Sequence, residues 1–366
     1  MSRHQYYLLK IILCAFLFYA LWDYAVVRSG LYFRVIEPES TVGSVLLYRT
    51  VIEQRLDRSR ANILVVGDSR VGEGFSAKLA NRIAGKSGPN FIGCGISGST
   101  PRVWRYFLRS VDHDRTKFSA IVLMTSALTD DEIYEDLGNR TSDMNYCLPL
   151  LSYSDLYHFP ETFSDKKLLD RARWAIVFPL AFLQSDIRGF ILHPIARAQK
   201  ASFWRSGYPD WIYDYPARPE ALPNFAFETN SIRPRDWQGV SDPLKSQLEG
   251  YFAELSGGFQ HLPLATVASY RRTWYGGIAA DYASTGVPVY VFLMPRGPFH
   301  AQLKGLGPVT GSLASLASSG SIRLLDPKPF SELEIPANFF DHLHLNAVGR
   351  EKLTQCLVKT LALPPQ

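Results

Sequence analysis

Short apolar runs without strict alternation, separated by longer amphipathic stretches, mark two parts of the chain. The first lies between about residues 62 and 128, the second from about 262 to the C-terminal end. Runs such as Ile63-Leu64-Val65-Val66 carry no polar face, as expected of strands buried on both sides. The pattern predicts strands over 63–66, 90–92, 120–124, 287–293 and 322–325, with helices over 75–84, 101–111, 267–282 and 302–317. A last helix follows Asn346, a suitable N-cap, and places Leu353, Leu357, Thr360 and Leu361 on one face. Strands alternating with helices predict an α/β fold whose mainly parallel sheet is covered by helices on both faces.

Two stretches break this rhythm. Near the N-terminus, Ile11-Ile12-Leu13-Cys14-Ala15-Phe16-Leu17-Phe18-Tyr19-Ala20-Leu21-Trp22 leads through Asp23 to Val27. This is the short end of a membrane span, which Lys10 can lengthen by snorkelling, and Trp22 and Tyr24 sit where an aromatic belt would lie. Arg3 and Lys10 favour a cytoplasmic N-terminus, which would export the remainder. The segment 1–28 is therefore expected to be an uncleaved anchor. A cleaved signal peptide would need a small-x-small site that does not follow the run, and a buried core helix is the third reading. Residues 29–61 read as a linker and an amphipathic helix containing Val51 and Leu56.

The other break, about 130–261, reads as an insertion in a domain spanning 62–366. It holds the apolar run from Trp174 to Leu183, another from Gly189 to Leu192, and the aromatic and proline-rich stretch from Tyr208 to Pro216. The insertion either packs a small core of its own or forms a lid, a sugar-binding rim or a surface lying on a bilayer.

Composition narrows the function classes. Of 366 residues, 46% are apolar and 20% charged, which excludes a globally disordered chain. The formal charge of +5 is spread along the chain with no dense basic block, so nucleic acid is not an expected partner. Cys14 falls in the anchor. Cys94, Cys147 and Cys356 have no metal-ligand spacing, so no metal or other cofactor is expected, and a single disulfide is neither required nor excluded.

The candidate chemistry lies at Gly67-Asp68-Ser69-Arg70, which follows the first apolar strand and precedes a helical run. A serine at a strand-to-helix turn sits where backbone N–H groups converge and its hydroxyl can face a cleft. Near the other end, Phe340-Asp341-His342-Leu343-His344 offers an acid and a base three positions apart. A serine hydroxyl needs a base to take its proton as it attacks, and that base is commonly a histidine oriented by a carboxylate. The i, i+3 spacing brings Asp341 and His344 together, so His344 is favoured as the base over His342, which is adjacent to Asp341 and expected to point away. A polar loop capping the last helix is the alternative reading of the segment. Arg70 either steers an anionic polymer or pairs with a local carboxylate, the pairing being the expected role.

With these motifs the chain resembles the SGNH (GDSL) hydrolase superfamily, over roughly 62–128 and 285–362. The resemblance implies a flavodoxin-like three-layer α/β/α sandwich of SGNH-hydrolase type, with Ser69 as nucleophile, His344 as base and Asp341 as orienting acid. Gly93-Cys94-Gly95-Ile96-Ser97-Gly98 resembles the family's second block. By that match the backbone N–H of Gly98 would join that of Ser69 in an oxyanion hole. A plain tight turn is the other reading of that glycine. The third block departs from the family, which carries Gly-x-Asn-Asp after the third strand. Here the strand runs into Thr125-Ser126-Ala127-Leu128 with no asparagine. Thr125 or Ser126 would replace the donor, or the hole would use backbone alone. One lost donor costs about 3–4 kcal/mol of transition-state stabilisation in other enzymes, so a slower or partner-assisted enzyme is expected. Anchor and degenerate third block together resemble membrane-anchored SGNH-like proteins of polysaccharide O-acylation. That resemblance implies a single-pass protein of the cytoplasmic membrane with an extracytoplasmic (periplasmic or cell-surface) catalytic domain. It implies a cell-envelope polysaccharide as acceptor and a membrane-bound O-acyltransferase as partner. A stand-alone carbohydrate or lipid esterase and a non-catalytic polysaccharide- or partner-binding scaffold are the alternatives.

Overall fold

Five strands form one all-parallel sheet in a computed structural model that describes residues 2–34, 41–133, 136–207, 237, 240–256 and 262–362. They are β1 (Asn62–Gly67), β2 (Asn90–Gly95), β3 (Ala120–Thr125), β4 (Val289–Leu293) and β5 (Arg323–Leu324), in the order β2-β1-β3-β4-β5. Val65 pairs with Gly93 on one side and Val122 on the other, and Val122 in turn pairs with Tyr290. Every residue of β3 is buried, as a strand with no solvent face must be. The fold is thus α/β with a parallel sheet.

The helices follow local signals. Pro101–Val111 coincides with its expected range and starts on a proline at its first position. The expected helix 75–84 starts two residues late, at Ala77, because Ser76 caps it by accepting the Leu79 N–H at 3.2 Å; Phe75 is buried ahead of it. The expected helix 302–317 is broken into His300–Lys304 and Gly311–Ser318. Between them Gly305 and Gly307 adopt φ of 70° and 68°, and Pro308 cannot continue a helix, so the amphipathic pattern is overridden. The stretch expected at 267–282 runs as Leu264–Arg271, a wider turn Arg272–Gly276, and Gly277–Ala283.

The chain divides into two compact units, residues 1–50 with 139–209 and residues 51–138 with 210–366. The second holds the sheet. The first holds the N-terminal helix Arg3–Trp22 and, from the middle of the chain, helices that include Thr141–Cys147, Lys166–Val177, Gln184–Leu192 and Pro194–Gly207. Met144, Phe159, Phe163, Ala172 and Ile176 are buried there. Helix Asp242–Leu255, also from the middle of the chain, belongs to the sheet unit. The stretch from Tyr208 to Pro216 lies outside the described residues.

Among the described residues one helical segment, Arg3–Arg28, is long and apolar enough to cross a membrane, with mean hydropathy 1.7. Its 26 residues rise about 39 Å at 1.5 Å each, against a hydrocarbon core of about 30 Å. Only 11% of its apolar window is buried, so it does not serve as a core helix.

Candidate active site

The strand order reverses at β1, which has β2 on one side and β3 on the other, and in open parallel sheets ligands bind beyond the C-terminal strand ends at such a point. Ser69 lies there. β1 ends at Gly67, Asp68 is extended, and Ser69 opens the short helix Ser69–Gly74. Asp68 caps that helix. Its carboxylate accepts the Arg70 N–H at 2.9 Å, and its carbonyl accepts from Val71 and Gly72 at 3.1 Å. The amide of Ser69 is the first-turn donor that Asp68 does not take. The Arg70 guanidinium folds back onto the same carboxylate, Nη2 to Oδ2 at 2.7 Å, so Arg70 takes the structural role expected of it. The helix lies close on β2, because a side-chain carbon on Gly95 would collide with the backbone of Gly72.

The other half of the site is a tight loop before the final helix, Ala347–Ala362. Phe339 bridges Leu345 and the Phe340 N–H donates to the His344 carbonyl at 2.8 Å, which confines Asp341, His342 and Leu343 to a turn. Asn346 fixes both ends. Its side-chain oxygen accepts the Gly349 N–H at 3.0 Å, capping the helix, while its amide donates to the Ala337 carbonyl at 2.9 Å. Inside the turn, Asp341 Oδ1 accepts the backbone N–H groups of Leu343 (2.8 Å) and His344 (2.7 Å), leaving Oδ2 for the His344 ring.

The structure brings Ser69, His344 and Asp341 into one line. His344 Nδ1 is 2.9 Å from Asp341 Oδ2, and His344 Nε2 is 3.0 Å from Ser69 Oγ. With the Nδ1 proton directed at the carboxylate, Nε2 is the lone-pair nitrogen and accepts from the serine hydroxyl. Burial works against charge on the histidine. The hydrogen bond and charge of Asp341, helped by Glu73 and Asp68, outweigh it and raise the pKa of His344 above the ordinary value. Burial would likewise raise Asp341, but its hydrogen bonds from His344 and Leu343 and the attraction of the ring lower it. His342 turns away toward the ring of Tyr251, 6.4 Å between centroids, and burial lowers its pKa.

The expected oxyanion donors differ in their surroundings. Gly98 has φ of 71° in a turn tied to the Ser69 strand, where Ile96 N–H donates to the Gly67 carbonyl at 3.0 Å. Behind it, the Ser99 hydroxyl takes the Trp104 indole N–H at 2.7 Å. Thr125 is buried and engaged elsewhere, its hydroxyl donating to the Ala127 carbonyl at 2.9 Å and accepting from Arg271 at 3.2 Å. Its proton is therefore not offered to a bound oxyanion. Ser126 is half-buried just past the end of β3.

The sequence reading missed Glu73. Its carboxylate is buried and Oε2 lies 3.7 Å from His344 Nε2. The signal was available, since Glu73 follows Ser69 by four positions on a helix and so shares its face. No protein-family model matches this chain, and no curated protein does.

Proposed function

We propose that the protein is an SGNH-type serine acyl-transfer enzyme, a flavodoxin-like three-layer α/β/α domain held outside the cytoplasmic membrane by its N-terminal helix. One observation carries this reading: the Ser69–His344–Asp341 line, at 3.0 and 2.9 Å, at the sheet's switch point. An ordinary helix-capping loop would have no reason to aim its imidazole at a serine across the sheet end.

In this reading Ser69 Oγ attacks the carbonyl carbon of an acyl donor while His344 Nε2 takes the hydroxyl proton. Asp341 stabilises the imidazolium through Nδ1. The oxyanion meets the N–H groups of Ser69 and Gly98, at the start of the Ser69 helix. Collapse expels the donor's oxygen, which takes the proton from Nε2 and leaves an ester on Ser69. An acceptor hydroxyl then gives its proton to the same nitrogen, attacks the ester and frees the serine. Acceptance by a hydroxyl of an envelope polysaccharide makes the protein an O-acyltransferase, served by a membrane-bound O-acyltransferase that delivers the acyl group. Acceptance by water makes it an esterase. The engaged hydroxyl of Thr125 favours a hole built mainly from backbone donors, and hence a slow enzyme over a vigorous free hydrolase.

The test is covalent labelling of the full-length, detergent-extracted chain with a fluorophosphonate probe. The wild type is expected to label once, and Ser69→Ala not at all. A folded wild type that does not label would remove the proposal. Release of free acetate with no polymer present would assign the esterase branch.

A further inference from the structure

The segment able to cross a membrane ends beside a cavity of about 670 Å3, within the unit that contains that segment. Val27, Arg28, Ser29 and Gly30 form one wall, directly at the end of the apolar helix. Phe33, Leu46 and Ile176 add apolar side chains to the lining, and Ser29, Thr50 and Ser152 add polar ones. The volume is that of a small-molecule site.

Two guanidinium groups reach this cavity, and they differ. Arg28 is already satisfied. Its Nε is 2.6 Å from the buried carboxylate of Asp23, its Nη2 donates to the Ile176 carbonyl at 2.6 Å, and its face lies over the Tyr153 ring at 4.0 Å. Arg49 is exposed and, among the described residues, has no ion-pair, hydrogen-bond or ring partner. The cavity therefore combines apolar and polar lining, including Ser29, Thr50 and Ser152, with one uncompensated cation. Around it Leu31, Tyr153 and Trp174 are all more than half exposed, and each adjoins a cavity-lining residue in sequence. Exposed aromatic and aliphatic side chains beside the end of a span suit the headgroup layer of a bilayer.

We propose that this cavity binds the head region of an anionic phospholipid from the bilayer that the N-terminal helix spans. The phosphate sits at Arg49, and the glycerol and first methylenes lie against Val27, Phe33, Leu46 and Ile176. The lipid is a bound structural ligand of this unit. It follows from the reading of Arg3–Arg28 as a membrane span, and from nothing about the reaction at Ser69. A zwitterionic lipid would bring its own cation to Arg49.

Native mass spectrometry of the full chain tests this, with the protein carried in detergent doped with either phosphatidylglycerol or phosphatidylcholine. One phosphatidylglycerol is expected to stay bound, at least tenfold in preference to phosphatidylcholine. Arg49→Glu, at an exposed position, is expected to lower retention at least tenfold. Leu46→Trp, which narrows the cavity, is expected to weaken lipid retention, with thermal unfolding showing that both variants fold. Labelling of Ser69 is expected to be unchanged in both. Equal retention of the two lipids, or wild-type retention by Arg49→Glu, would overturn the proposal. Displacement of the lipid by millimolar inorganic phosphate would also overturn it, because the site would then belong to a free anion. Carbonate extraction of membranes separates the two layers of the argument: release of the chain removes the span itself, whereas a retained chain without lipid selectivity removes only the cavity assignment.

Discussion

The Glu73 carboxylate lies 3.7 Å from Nε2 of His344, the nitrogen that also faces Ser69 Oγ at 3.0 Å. One imidazole thus has a carboxylate on each side, Asp341 at Nδ1 and Glu73 at Nε2. Asp341 orients the ring, while Glu73 adds charge beside the nitrogen that must be neutral to accept the serine proton. Burial opposes the imidazolium, but these carboxylates prevail and the pKa of His344 is raised. Labelling of Ser69 is therefore expected to increase with pH through that raised value. Glu73→Gln removes one favourable charge, so the acidic limb is expected to move to lower pH. The pH profile of the fluorophosphonate labelling rate reads this directly, and an unmoved limb would deny Glu73 any electrostatic part.

Asp341→Asn keeps the shape of the turn but replaces the acceptor at Nδ1, which favours the wrong tautomer and removes the support for the imidazolium. In a related constellation on another fold such a change costs about 10⁴ in turnover. A loss of about 10³–10⁴-fold in the rate of serine acylation is expected here, with binding of the probe less affected. The same pair governs stability against pH. For His344, raised in the folded state, the contribution is complete below the unfolded value of about 6.5 and disappears as pH rises through the folded one. For Asp341, lowered in the folded state, it is present above the unfolded value of about 3.9 and disappears as pH falls through the folded one. Urea unfolding across both windows is expected to show a flatter profile for Asp341→Asn than for the wild type.

Thr125→Val separates a donor to the oxyanion from a structural hydroxyl. The Thr125 hydroxyl donates to the Ala127 carbonyl and accepts from the Arg271 guanidinium, both in the buried core. Replacing it with a methyl leaves those groups short of a partner, at a cost of about 1–3 kcal/mol. The expected outcome is a lower melting temperature with a labelling rate within a few-fold of the wild type. A fall of a hundredfold in rate at unchanged stability would instead make Thr125 the missing oxyanion donor.

Much of the sheet was legible because Ile63 to Val66 and Ala120 to Met124 are short runs apolar on both faces, and the helical stretches between them suit covered parallel strands. Ser69, Asp341 and His344 were legible because turn chemistry and the i, i+3 spacing constrain where short side chains reach. The gap between Lys304 and Gly311 was written as Gly305-Leu306-Gly307-Pro308, but amphipathic periodicity on either side outweighed it in the reading. The i, i+4 spacing from Ser69 marked the face of Glu73, but its approach to His344 depends on a loop about 270 positions away, which local pattern does not show. The same holds for Arg271 and Asp130, each of which reads as an ordinary surface charge until the fold buries both.

That buried pair offers a large expected effect on stability. Arg271, at the end of helix Leu264–Arg271, is 1% exposed and donates to Asp130 Oδ1 at 2.9 Å, the Thr129 carbonyl at 3.1 Å and the Ala127 carbonyl at 2.6 Å. Asp130 also accepts the backbone N–H of Ser312 at 2.9 Å, so the pair joins the loop after β3 to two separate helices. Burial would raise the pKa of Asp130, but Ser312 and Arg271 together lower it. Asp130→Ala leaves a guanidinium buried without its counter-ion, and losing one partner of such a pair typically costs about 3–5 kcal/mol. The double variant Asp130→Ala, Arg271→Leu removes the stranded charge and is expected to recover a large part of that loss. The wild type should also lose this contribution as pH falls through the lowered Asp130 value, and the single variant should not. Denaturant unfolding of the four proteins of this cycle, at neutral pH and well below the ordinary carboxylate value of about 3.9, measures both effects. Additive losses at neutral pH would show that the two residues stabilise the fold independently.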